Sequence, residues 1–375
     1  PIWHNDFTAQ QYLAVLASSL EQDISLYIHI PFCAKLCFYC ACNIAIRPQE
    51  DKVGDQYLDY LALEMQLVTS SLGYKPRVKQ IHLGGGTPTF LTNKQLARLD
   101  SLVKQYFALD LEEYAIEIDP RTVDRNKLTQ LKQLGFNRLS FGIQDFNPQV
   151  QRAIKREHPF EQVQELLGIT REIGFNAINI DLIYGLPHQT LTSFAKTIEQ
   201  VIQLLPERIA LYSYAYVPWI HKHQAAMDQS TMGDAESKMA LFLQAREQFI
   251  ASGYCAIAMD HFALADDELA KAYNSGTIRR NFMGYTTLAT ESYIGLGVSA
   301  IGYIGNSFIQ NHKSLKQYYA TLDTRQLPTA RGYQLHSDDL LRQWVISSLM
   351  CKFVVDKIEF KDKFSLAFDS YFASE

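Results

Sequence analysis

Four of the six cysteines crowd together in Cys33-Ala-Lys-Leu-Cys37-Phe-Tyr-Cys40-Ala-Cys42. Thiolates spaced three and then two residues apart can converge if the loop wraps around a compact object such as a metal ion or an iron–sulfur cluster. A four-iron cluster held by Cys33, Cys37 and Cys40 leaves one iron open for a substrate or cofactor. A structural zinc site usually takes four ligands in two separated pairs. A zinc knot that recruits Cys42, or a chance crowding of buried thiols, are the plainer alternatives. Tyr39, beside the third cysteine, could cover a cluster or stack on a base. Cys255 and Cys351 stand far away, and no export signal precedes the cysteines. The pattern points to a cytoplasmic metal or redox site, not a disulfide scaffold.

Something must hold that loop in place. Short β-branched or aromatic runs alternate with helical periodicity, predicting strands at Ser25–Ile30, Lys79–Leu83, Tyr114–Asp119, Asn137–Ile143, Ala177–Ile183, Arg208–Tyr214 and Cys255–Asp260. Helices are expected at Asp55–Ser70, Lys94–Gln105, Asp124–Leu134, Phe160–Ile173, Leu191–Leu204 and Asp234–Ser252. Gly135, Gly174 and Gly253 each stand between a helix and an aromatic residue that opens the next strand, where a C-cap glycine belongs. This rhythm predicts an α/β fold, a complete or partial TIM-like barrel. In such a barrel chemistry gathers at the C-terminal strand ends. The cysteine loop follows the first strand, Gly84-Gly85-Gly86-Thr87 the second, Glu117 and Asp119 close the third, Gln144 the fourth, Asp181 lies in the fifth, and Tyr212–Tyr216 ends the sixth.

Each feature also has a bland reading. The glycine run could admit a ligand to its backbone amides or simply form a tight turn. Glu117 and Asp181, set among isoleucine and leucine, need partners if ionised. A ribose hydroxyl or ammonium would serve, and so would a barrel arginine such as Arg138. Arg152, Lys155 and Arg156 would share one helix face, as a solvated stripe or a basic pocket. His29 could move a proton, touch substrate or be a satisfied core residue.

With 375 residues, 47% hydrophobic and 20% charged, the chain can bury a sizeable core and is not a disordered protein. A net charge of −5 argues against gripping nucleic acid through bulk charge. No apolar run reaches membrane-helix length, and the stretch Tyr293–Gly305 is interrupted by glycines. The expected divisions are a helical lead-in (1–24), a barrel (25–265), an extension completing it (266–335) and the start of a helical second domain (336–375). Because it begins on Pro1, the chain is read as part of a longer product.

Cys-x3-Cys-x2-Cys after the first strand of a βα barrel is the radical S-adenosylmethionine (SAM) signature. The longer string Tyr27-Ile-His29-Ile-Pro-Phe-Cys33 with Cys40-Ala-Cys42-Asn43 resembles the oxygen-independent coproporphyrinogen III oxidases. The resemblance continues in order through Gly84–Thr89, Glu117–Arg121, Gly142–Phe146, Asn179–Pro187, Met259–Phe262 and Gly295–Ile301. It implies a partial (β/α)6 radical SAM barrel with C-terminal additions, and one [4Fe-4S] cluster on Cys33, Cys37 and Cys40. It also implies two SAM molecules. Tyr27, Gly85, Glu117, Ala215 and Ile301 would contact the first, and Tyr39, Gly86, Thr87, Gln144, Arg156 and Asp181 the second, with Tyr27 and His29 near the chemistry. The implied reaction takes a hydrogen from two substrate propionates and releases carbon dioxide, converting coproporphyrinogen III to protoporphyrinogen IX. A reductase or a flavodoxin- or ferredoxin-type donor would supply electrons to a cytoplasmic monomer. A haem-binding chaperone of the same fold, or a radical SAM methyltransferase or haem-opening enzyme, is the competing function. Cys42 favours the oxidases. Two departures stand out: Met283 replaces a usual glutamine, and Tyr39 a common phenylalanine. No string in this sequence resembles the family's N-terminal Pro-Arg-Tyr-Thr type, and residues 336–375 are expected to be the beginning of its C-terminal helical domain.

Overall fold

The computed structural model describes all residues except 1, 2, 4, 5, 20–22 and 375. The expected alternation takes shape as α1 (Ala9–Ser18), β1 (Asp23–Ile30), α2 (Asp51–Leu72), β2 (Arg77–Gly85), α3 (Asn93–Tyr106), β3 (Ala108–Ile118), α4 (Arg125–Leu134) and β4 (Arg138–Gln144). It continues with α5 (Pro148–Ala153), α6 (Phe160–Glu172), β5 (Ile178–Tyr184), α7 (Leu191–Leu204), β6 (Arg208–Ser213) and α8 (Ala235–Ala251). Then come β7 (Tyr254–Ile257), β8 (His261–Leu264), α9 (Glu268–Asn274), β9 (Tyr293–Leu296), β10 (Ile301–Ile304) and β11 (Ser307–Asn311). Last are α10 (Leu315–Asp323), β12 (Thr329–Gln334), α11 (Ser337–Lys352), α12 (Lys357–Phe364) and α13 (Phe368–Tyr371).

These twelve strands form one sheet, ordered β12-β11-β10-β9-β1-β2-β3-β4-β5-β6-β8-β7, and two short two-stranded pairs stand apart from it, Phe32–Cys33 with Ala45–Ile46 and Arg279–Asn281 with Gly284–Thr286. The run from β9 to β6 is parallel, and antiparallel strands extend it on both sides. Strands β12 and β7 are its two ends, so among the described residues the sheet is an open barrel. The parallel strands turn an apolar face to the helices that cover them, while the other face carries polar residues such as Gln80, His82, Glu117, Ser140, Asn179 and Asp181 that line the barrel interior. Gly135 ends α4 at a φ of 97°, a left-handed turn that turns the chain back toward the sheet without a Cβ clash. Among the described residues no helix is long and apolar enough to cross a membrane.

Two expectations are corrected. Strand β3 begins at Ala108, well before Tyr114, because its exposed half is held by charge: Lys79 Nζ lies 2.7 Å from Asp110 and 3.3 Å from Glu112. The segment expected as a single strand from Cys255 to Asp260 instead turns at Ala258, where φ is 47°. It returns as β8, and this hairpin brings His261 beside Ala210 of β6.

Helix α2 braces the strand ends from behind. Its Tyr57 hydroxyl donates to the His29 carbonyl at 2.6 Å and accepts from Val298 N at 3.0 Å. Two turns on, Glu64 is 2% exposed and accepts from Gly297 N at 2.7 Å, Asn311 Nδ2 at 2.5 Å and Tyr318 Oη at 2.6 Å. Burial pushes its carboxyl up to about 7 despite those donors. A raised folded-state value means stability is greatest below the ordinary range near 4.5 and falls as pH rises through about 7. The expected difference between pH 5 and pH 8 is on the order of 2–3 kcal/mol. Glu64→Gln should shrink it, as checked by urea unfolding of both proteins at the two pH values.

Candidate active site

The cysteine loop leaves β1 and is stitched to its surroundings by backbone hydrogen bonds. Gly86 N donates to Ile30 O, Thr87 N to Phe32 O, and Ala45 N to Pro31 O. Cys37 is buried, Cys33 and Cys40 are half-buried, and Cys42 is exposed. All six cysteines are free thiols. Each of the three candidate ligands faces a polar hydrogen. Thr87 Oγ1 is 3.3 Å from Cys33 Sγ, Arg121 Nη2 and Arg156 Nη1 lie 3.5 and 3.7 Å from Cys37 Sγ, and Cys42 N donates to Cys40 Sγ at 3.4 Å. Donation from the Cys42 thiol brings Cys40 down to about 7, whereas burial pushes Cys33 up to about 11. Among the described residues no three His, Cys, Asp or Glu side chains gather as tightly as a single metal ion requires. Three thiols on one loop, supplied with hydrogen-bond donors and backed by cations, fit a larger anionic thiolate-ligated cluster.

Those cations are organised by Asp119. Its carboxylate accepts from the Arg121 backbone at 3.0 Å, from Arg121 Nη2 at 2.6 Å and from Arg156 Nη1 at 3.1 Å. Burial would raise Asp119, but the two guanidinium groups outweigh it and hold the carboxyl at about 2. Arg152, Lys155 and Arg156 do not share a helix face. Helix α5 ends at Ala153, and Lys155 adopts a left-handed φ of 52°. Arg156 N then bonds back to Gln151 O, a Schellman-type closure. Arg152 and Lys155 stay exposed while Arg156 turns inward, its Nε and Nη2 donating to Gly142 O at 3.0 and 2.6 Å. The same turn grips the cysteine loop: Phe38 N donates to Ile154 O at 2.9 Å, and Lys155 Nζ sits 4.3 Å over the Phe38 ring.

The glycine run is not a tight turn, since β2 continues through Gly85. Its glycines make room for site residues. A Cβ would lie 2.7 Å from Glu117 Oε1 at Gly84, 2.5 Å from the His29 ring at Gly85, and 2.7 Å from the Pro31 carbonyl at Gly86. Glu117 takes His82 Nε2 at 3.1 Å and Gly85 N at 3.2 Å. Burial pushes the His82 imidazole down and the Glu117 carboxyl up, but their contact prevails in both, so they face each other as an ion pair. Asp181 accepts from Ser140 Oγ at 3.0 Å and Asn179 Nδ2 at 2.8 Å, and burial followed by the Glu117 charge lifts it to about 6. Arg138 partners neither carboxylate, being bound to Glu113 at 2.5 Å. Glu117 and Asp181 are half-buried and border a barrel cavity of about 110 Å³.

Tyr27 Oη and His29 Nδ1 are 3.0 Å apart, and His29 Nε2 is 2.9 Å from the Asn43 carbonyl. Burial lowers the His29 imidazole. In the register, Tyr27 pairs with Gly295, against which the Ile301 carbonyl packs. Gln144 is buried with a φ of 70°, beside a bulge after Gly142. Tyr39 is half-buried, and Ala215 is exposed on the loop after β6, linked to Tyr39 through Gln224, which donates to both carbonyls. Met283 packs on the Tyr293, Tyr303 and Leu335 cluster and borders the same cavity. Residues missed from sequence are His82, Arg121, Ser140 and Asn179. His82 and Asn179 carried a usable signal, each lying two residues from another polar group, Gln80 and Asp181, and so on the same strand face. Arg121 and Ser140 reach the site only through the fold.

An open parallel barrel with three cysteines on the loop after β1 defines a class. Residues 27–201 match the Radical SAM superfamily family model. The oxygen-independent coproporphyrinogen III oxidase of Escherichia coli K12 is 44% identical over 372 residues, covering 99% of this chain and 81% of that protein. The enzyme of the same name from Synechocystis is 43% identical over 365 residues, covering 96% and 78%. A solved structure of the E. coli coproporphyrinogen III oxidase, described as a radical SAM enzyme, superposes with a TM-score of 0.94 at 42% identity, covering 99% of this chain and 85% of that one. The chain belongs to the oxygen-independent coproporphyrinogen III oxidase family of radical SAM enzymes. A [4Fe-4S] cluster and SAM are the cofactors of that superfamily.

Asp119→Asn would leave the buried Arg156 and the half-buried Arg121 guanidinium groups without their shared anion, and urea unfolding should show a loss of about 3 kcal/mol. Gly86→Ala should keep its circular dichroism spectrum yet bind markedly less iron on anaerobic reconstitution, because the added methyl displaces the Pro31 end of the cysteine loop.

Proposed function

We propose that this chain carries out the oxidative decarboxylation of two propionates of coproporphyrinogen III to vinyl groups under anaerobic conditions. The observation that carries the reading is the thiol loop with its Asp119–Arg156 backing at the strand ends of an open barrel, in a chain matched over nearly its full length by oxidases of that name. For each vinyl group formed, a propionate gives up one hydrogen atom, one carbon dioxide and one electron. When bound, the reduced cluster and SAM supply the carbon-centred radical that takes the hydrogen.

The chain's residues bind, orient and exclude water. Cys33, Cys37 and Cys40 would hold the cluster, with Arg121 and Arg156 moderating its negative charge. Gly85, Glu117, Tyr27, Ala215 and Ile301 would hold a first SAM, where Glu117 can accept hydroxyl or ammonium hydrogens while His82 balances its charge. Tyr39, Gly86, Thr87, Gln144, Arg156 and Asp181 would hold a second. Met283, whose side chain brings no hydrogen-bonding group of an amide's kind, leaves the polar contacts of that site to Tyr39, Thr87, Gln144, Arg156 and Asp181. His29, kept neutral by burial and bonded to Tyr27 and the Asn43 carbonyl, would orient the cluster loop against the first SAM. A separate one-electron donor protein is required, and the chain would act as a cytoplasmic monomer.

Anaerobic incubation of the reconstituted protein with SAM, a reductant and coproporphyrinogen III should release carbon dioxide and yield protoporphyrinogen IX. Cys33→Ala should lose nearly all of its iron and product. Intact protein with full iron content that forms no product would defeat the assignment. Equilibrium dialysis should find two SAM per chain, and Asp181→Ala should retain about one.

A further inference from the structure

Around the cysteine loop the surface departs from the rest of the molecule. The chain as a whole carries a net charge of −5, yet residues 31–49, 208–227 and 292–322 contain no Asp or Glu. Lys35, Arg47, Lys222, Lys313 and Lys316 are all exposed on these stretches. Tertiary contacts draw them to one place. His223 Nε2 meets the Cys40 carbonyl at 2.7 Å, Gln224 Nε2 donates to the Tyr39 carbonyl at 3.0 Å, and Asn43 Nδ2 donates to the Lys313 carbonyl at 2.9 Å. The His221 and His223 rings are 5.9 Å apart. Burial first, then the charges of His223 and Lys313, lower the His221 imidazole, which sets Lys313 within electrostatic reach of the loop after β6. On that loop Trp219 is 74% and Ile220 66% exposed, adjacent large apolar groups left in solvent.

A basic, acid-free rim around an aromatic and an aliphatic side chain suits a ligand that is flat, apolar and edged with carboxylates. It suits a purely polar anion poorly, because nothing in that ligand would cover Trp219. We infer that Trp219 and Ile220, with Lys222 and Lys313, form a recognition rim at the mouth of the site, on which the porphyrinogen macrocycle rests while lysines pair with propionates that are not reacting. The inference rests on the proposed oxidase reading and deepens it by assigning substrate contacts. Long lysine stems tolerate both orientations of a macrocycle whose two reacting propionates must be presented in turn. Such pairs set affinity and orientation, and salt screens them.

Coproporphyrin III, the stable oxidised macrocycle with the same carboxylates, is a suitable probe by fluorescence titration on the SAM-loaded holoprotein. Lys222→Glu with Lys313→Glu should weaken binding about tenfold or more at low salt, with a shallower salt dependence than the parent. Lys222→Arg with Lys313→Arg should bind as the parent does, and Trp219→Ala should weaken binding with the parent's salt dependence retained. Iron content and SAM binding, read on the same samples, show whether a variant has kept its fold. Equal porphyrin affinity in parent and charge-reversed protein overturns the rim and leaves the oxidase reading standing. Equal affinity combined with slower cluster reduction by an acidic one-electron carrier protein overturns it too, and reassigns the patch to the electron donor. A parent protein that binds SAM but no porphyrin overturns both readings.

Discussion

The shared carboxylate of Asp119 is the interaction on which the site depends. It collects Arg121 from the turn after its own strand and Arg156 from the segment after β4, and both guanidiniums also reach the Cys37 sulfur. Without the anion, the buried Arg156 and the half-buried Arg121 would face each other as unpaired like charges. With it, positive charge is held beside the thiols that would carry net negative charge as ligands of a cluster. The arrangement is made by the chain's own residues and would complement a bound cluster, whose binding would then not carry the cost of assembling its surroundings.

Local geometry is subordinate to that pairing. Lys155 adopts a left-handed conformation that costs on the order of 1 kcal/mol for a residue with a Cβ. In return the chain reverses, α5 stops short, and Arg156 turns from the solvent to the barrel. Gln144 sits in the same sparsely populated region one strand end away. Such strain persists where the surrounding contacts over-determine it, and here Gly142, Arg156 and Asp119 do so. On the opposite side Tyr57 and Glu64 brace β1 and the turn after β9 against α2, so both flanks of the cysteine loop rest on buried hydrogen bonds.

Much of the fold was legible because helices and strands announce themselves through periods that depend on near neighbours. Helix α7 matches its expected bounds, and the C-cap glycines mark chain reversals as anticipated. The failures share one cause. The early start of β3 depends on Lys79 of the neighbouring strand, the β7–β8 hairpin on pairing with β6, and the inward turn of Arg156 on Asp119. Spacing within one segment contains none of those partners. The glycine run illustrates the same limit: its composition signalled close approach, but only the fold identifies Glu117, His29 and Pro31 as what approaches.

The sequence by itself determined the cysteine spacing, the succession of βα units and the acid-free stretches, since each is a property of residue order. Tertiary structure alone decided that Glu117 pairs with His82 rather than Arg138, that Arg156 leaves the face of Arg152 and Lys155, and that three separate stretches surround the cysteine loop. The reason is physical: buried charges choose partners by distance and solvation, and both are set by how strands align across the sheet.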